Sequence, residues 1–112
     1  MEEQNNQAVS HPGLVAQIRA TVRQLEPSAE IVLFGSRARR DANCDSDWDL
    51  LVILDGPVDA GRKQRIRHDL YALERAAGEV LSAIITSREE WETPRFKLSP
   101  FYLNVMQEGV QL

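Results

Sequence analysis

Apolar positions along the chain alternate between helical spacing and short unbroken runs. Leu14, Ile18, Val22 and Leu25 recur every three or four residues, Pro12 suits a first helical turn, and Pro27 closes the segment. The run Ile31-Val32-Leu33-Phe34 then reads as a buried strand covering Glu30 to Phe34. Arg37 to Arg40 follow as a short stretch of helix formers, and Asp41 to Ser46 as a polar loop. A second strand is expected from Trp48 to Leu54, stopped by the turn signal Asp55-Gly56-Pro57. Asp59 can cap a long helix to Ala77, with Ile66, Leu70, Leu73 and Ala77 on one face and Gly78 as its stop. A third strand over Val80 to Ile85, a short helix over Arg88 to Trp91 and a last helix near Pro100 to Glu108 complete the pattern. Phe101, Tyr102, Val105 and Met106 would dock the last helix on the sheet. Strands separated by helices imply an α/β fold, a small mixed sheet of three or more strands with helices packed on it. Residues 1–9 read as a flexible tail and residues 10–112 as one domain.

The chemistry concentrates where the first strand ends. Gly35-Ser36 breaks the strand into a helix, a junction that points free backbone N–H groups outward with the positive end of a helix dipole behind them. Ten residues further on stands Asp47-Trp48-Asp49. Positions i and i+2 of a strand share a face, so the two carboxylates project together and Trp48 points the other way, packing under the site. Paired acids repel one another unless a cation or hydrogen bonds stabilise them. Mg²⁺ is commonly held by one or two carboxylates plus substrate phosphates, so Asp47 and Asp49 are candidate metal ligands. Alone, Gly35-Ser36 would be an ordinary turn with an N-cap serine; joined to the acidic pair it becomes a candidate phosphate cradle. Arg37 reads as part of a solvated helix face, as do Arg62, Lys63, Arg65, Arg67 and Arg75. His11 and His68 read as structural or exposed.

The stretch GSRARRDANCDSDWDLLVI, Gly35 to Ile53, resembles the minimal nucleotidyltransferase family of the DNA polymerase beta-like superfamily. That family's pattern is Gly-Ser, a short Ala-Arg helix, a polar loop and Ser-Asp-x-Asp-Leu running into an apolar strand. SREEW (87–91) and SPFYLNVMQEGVQL (99–112) also look like the tail of small bacterial members. The resemblance implies that Asp47 and Asp49 are catalytic metal ligands, and that Gly35, Ser36 and the motif arginine Arg39 bind nucleotide. Arg39 could also be structural, paired with Asp41, Asp45 or an acid of the metal site. Two positions depart from the pattern. Arg40 stands where a glycine is usual, and Ser82 stands where the third carboxylate usually lies on the strand after the long helix. Val80, Ser82 and Ile84 share a face without an acid, and Glu79 has the wrong parity to replace one.

The resemblance implies Mg²⁺-dependent transfer of a nucleoside monophosphate, AMP from ATP, to an acceptor hydroxyl. Small members of the family act as antitoxins paired with a HEPN-domain toxin, so a protein partner, or a second copy, is expected to supply the acceptor site. The alternative is a binding module that neutralises a toxin or senses nucleotide without catalysis, and Ser82 favours it. The net charge of −4 and a pI near 5.1 argue against a dedicated nucleic-acid surface. The single cysteine, Cys44, excludes an internal disulfide, no Cys/His cluster suggests zinc, and no stretch reaches membrane-spanning length. A polar start and one cysteine point to the cytoplasm.

Overall fold

The computed structural model describes residues 11–39 and 46–112. The expected tail, Arg40, Cys44 and the greater part of the polar loop lie outside them. The element order is α1 (Pro12–Leu25), β1 (Glu30–Phe34), α2 (Ser36–Arg39), β2 (Trp48–Leu54), α3 (Ala60–Ala77), β3 (Leu81–Ser87), α4 (Arg88–Trp91), α5 (Pro94–Lys97), α6 (Pro100–Glu108) and β4 (Val110–Gln111). The strands form one mixed sheet in the order β3-β2-β1-β4. β1 runs antiparallel to β2 and β4, and β2 runs parallel to β3. The mixed sheet of three or more strands with helices packed on it, anticipated from the pattern, is therefore present; β4 and the single turn α5 are elements the pattern did not locate.

β2 explains the layering. Its residues from Leu50 to Leu54 are all buried, so both faces of this central strand are covered. On one face Trp48, Leu50, Val52 and Leu54 join Leu14, Ile18 and Val22 of α1 and Ile66 and Leu70 of α3. On the other, Leu51 and Ile53 meet Trp91 and Val105, with Phe34, Phe96, Phe101 and Tyr102 around them. Alternation along one strand thus feeds two cores.

The ends of α3 follow the residues anticipated for them. The Asp59 carboxylate accepts the Arg62 N–H at 2.8 Å, and Gly78 takes the left-handed conformation (φ 71°) at the C-terminus. Its inner face is shorter than expected, because Leu73 is only half-buried and Ala77 is exposed. Met106 is also 62% exposed, so Phe101, Tyr102 and Val105 dock α6 without it. Arg62 is no solvated cation. It bonds both oxygens of Glu26 at 2.6 and 3.0 Å and the carbonyls of Asp55 and Pro57, tying α3 to the end of α1.

Candidate functional site

The candidate site forms where β1 ends and β2 begins. Antiparallel register pairs Phe34 with Asp49, which brings the turn after Phe34 alongside the acidic pair. Gly35 adopts φ 77°, a left-handed conformation favoured only by glycine, and its carbonyl accepts the N–H groups of Ala38 and Arg39 to start α2. A Cβ on Gly35 would run into the Asp49 carboxylate. The glycine is thus required twice, by its dihedral and by the close approach of Asp49.

Asp47 is exposed and Asp49 partly buried. Burial raises the Asp49 carboxyl above its ordinary range; the neighbouring Asp47 raises it further, Arg39 opposes this, and Glu108 adds to it. Among the described residues no group of three or more His, Cys, Asp or Glu side chains is arranged to hold a metal ion. Two carboxylates at i and i+2 where β2 begins fit a cation whose remaining ligands are phosphate oxygens and water.

Arg39 pairs with Glu108 at 3.2 Å. Glu108 was not among the partners expected for it; of those, Asp41 and Asp45 lie outside the described residues. Glu108 also accepts the Gly35 N–H at 2.9 Å, so the last residue of α6 sits against the Gly-Ser turn. No motif announced it; only closure of α6 over the sheet brings it there.

Arg37 overturns its reading as a solvated residue, since its side chain is 9% exposed. Its guanidinium donates to the Ser46 carbonyl from Nε at 3.3 Å and from Nη2 at 3.0 Å, and to Glu79 Oε1 at 3.3 Å. It lies 4.8 Å from the centre of the Trp48 ring. Trp48 is fully buried on the face opposite the acids, as alternation requires, and its indole N–H donates to Glu79 at 3.0 Å. His11 is about half exposed, stands edge-on to Trp48 and lies 3.8 Å from Glu79.

Parallel register pairs Asp49 with Ser82, so the residue beside the acid on the next strand is an exposed serine. Glu79 faces Arg37 and Trp48, away from the carboxylate pair, in keeping with its parity.

These features define a nucleotidyltransferase domain: a mixed sheet with a Gly-Ser turn at the end of one strand and a paired-acid motif at the start of the next. The nucleotidyltransferase domain family matches residues 15–101, and the chain belongs to it. Two solved structures are similar. One is a mutant of the toxin–antitoxin pair MntA–HpeT in which two aspartates, two positions apart, are replaced by glutamate. It has 17% identity and a TM-score of 0.56, over 86% of this chain and 69% of the other. The second is a proposed nucleotidyltransferase from Sulfolobus solfataricus, at 24% identity and a TM-score of 0.52, over 88% of this chain and 75% of the other. At these identities the likeness concerns the fold. No curated protein sequence matches the chain significantly. Among the described residues no helix is long and apolar enough to cross a membrane.

Proposed function

We propose that the chain is a Mg²⁺-dependent nucleotidyltransferase that moves AMP from ATP to a hydroxyl on a partner protein. The observation that carries this reading is the pairing of Phe34 with Asp49, which sets the acidic pair against the Gly35-Ser36 turn in a chain of this family. Asp47 and Asp49 would hold the ion, which when bound neutralises the triphosphate and eases departure of pyrophosphate. The Ser36 hydroxyl and nearby backbone N–H groups would hold the β- and γ-phosphates, keeping the α-phosphorus in line with the incoming hydroxyl. The acceptor oxygen bonds to that phosphorus, the α–β bridging P–O bond breaks, and the hydroxyl proton is released.

A protein acceptor is supported by the similar structure from a toxin–antitoxin pair. The altered aspartates of that mutant have the same spacing as Asp47 and Asp49. A HEPN-type toxin encoded beside this chain is the partner to try, in a cytoplasmic setting. The test is transfer of label from α-labelled ATP to the co-purified partner with Mg²⁺. Labelled partner together with released pyrophosphate is the expected result.

Ser82 beside Asp49 favours a second reading, a nucleotide-binding antitoxin module with weak or no transfer. Tight metal-nucleotide binding without label transfer would select it.

A further inference from the structure

We infer that Arg37 is a positioning residue for the carboxylate pair, and that Glu79 and Trp48 hold it in that role. The inference takes the candidate metal-nucleotide site as its starting point and concerns how that site is kept in shape. Asp47 is exposed, and it precedes the first residue of β2. The residue before it, Ser46, is gripped through its carbonyl by two nitrogens of Arg37, nine positions back on α2. α2 itself begins at the Gly-Ser turn. One guanidinium therefore links the candidate phosphate cradle to the candidate metal ligands.

Four further contacts hold the grip. Glu79 Oε1 accepts from Arg37 Nη2 and from the Trp48 indole N–H, binding both to the segment that leads into β3. The Trp48 ring lies against the guanidinium. The Trp48 backbone N–H donates to the Val80 carbonyl at 2.8 Å, adding a main-chain bond between the same two segments. The Ser46 carbonyl and Glu79 together engage Arg37 in a planar, multiply bonded arrangement that a lysine cannot reproduce. Glu79, the acid nearest β3 with the wrong parity for ligation, thus acts through Arg37 on Asp47. Residues that orient metal ligands are commonly worth about ten- to a hundredfold in metal affinity.

The experiment compares Arg37→Ala, Arg37→Lys and Glu79→Gln with wild type by calorimetric titration of Mn²⁺–ATP and by amide hydrogen exchange. Glu26→Gln is the control; it breaks the remote ion pair between α1 and α3 and lowers global stability without touching the site. Arg37→Ala should weaken Mn²⁺–ATP binding about tenfold and speed exchange at Asp47 and Trp48 relative to the interior of β2. Arg37→Lys, which keeps the charge, should recover stability more than affinity. Glu79→Gln should act in the same direction more weakly, and it decides the matter should Arg37→Ala fail to fold. Affinities equal to wild type in the folded variants, or losses no larger than in Glu26→Gln, overturn the inference. If wild type itself binds no Mn²⁺–ATP, the proposed function fails. Exchange alone then decides, a local rise at Asp47 and Trp48 supporting the positioning role and a uniform rise overturning it.

Discussion

Gly35 and Asp49 show how closely backbone and side chain are fitted at this site. With φ at 77° and the Asp49 carboxylate where a Cβ would project, Gly35→Val adds left-handed strain to a collision. It should cost upwards of about 2 kcal/mol, read as a lower Tm, and abolish ATP binding. Asp49 itself is a stability liability without a cation. Its carboxyl titrates above the ordinary range through burial and then Asp47. A raised carboxylate favours folding when protonated, and that contribution is lost as pH rises through the folded-state value. Asp49→Asn should therefore raise Tm at neutral pH in the absence of metal and flatten the acid limb of the stability profile, a comparison made by thermal melts across pH. Gly35, Ser36, Asp47 and Asp49 were readable because glycine at a strand end and acids at i, i+2 carry their geometry in the local sequence. Arg37 was not. On α2 it looked like one of several surface arginines, and only its long-range partners Ser46 and Glu79 remove it from solvent.

At the scale of elements, strands β1 and β2 and the long helix were legible from apolar runs, Asp59, Gly78 and the Asp-Gly-Pro turn. α5 and β4 were not. α5 is one turn, begun by Thr93 capping the Phe96 N–H, with no apolar period to betray it. β4 is two residues whose strand character comes from pairing with Val32 and Leu33. Ion pairs fasten the elements in ways composition hides. Arg62 joins α3 to Glu26 beyond α1, and Arg88 joins β3's end to Asp55 and Glu30 at 2.9 and 3.0 Å. The hydrogen bond from Arg62 holds Glu26 below the usual carboxylate range. A depressed carboxylate stabilises the fold above its unfolded-state pKa, and the contribution disappears as pH falls through the folded value. Glu26→Gln should thus cost roughly 1–2 kcal/mol at pH 7 and little once the carboxylate is protonated, measured by urea unfolding at both pH values.

For the whole molecule, the sheet separates two cores and brings its chemistry to one end of the strands. Trp48 enters one core while Asp49 faces the side covered by α4 to α6, from which Glu108 reaches back to Gly35. That closure could not be read from sequence, because Glu108 lies 73 residues from its partner. The parallel pairing of Asp49 with Ser82 makes the missing acid a question for the assembled sheet. Ser82→Asp would place a third carboxylate beside Asp49. It should lower metal-free stability and raise label transfer to the partner; full transfer by wild type together with lost transfer in the variant would show that this site works with two acids.

The acidic pair and the Gly-Ser turn are proposed to hold a metal-nucleotide together. Calorimetric titration of Mg²⁺–ATP into wild type, Asp47→Asn and Asp49→Asn tests this most directly, with circular dichroism confirming that each variant is folded. Wild type should bind saturably and only with the metal, and affinity should fall at least about tenfold in either variant. Equal affinity in all three proteins, or binding by wild type that persists undiminished in EDTA, would contradict it.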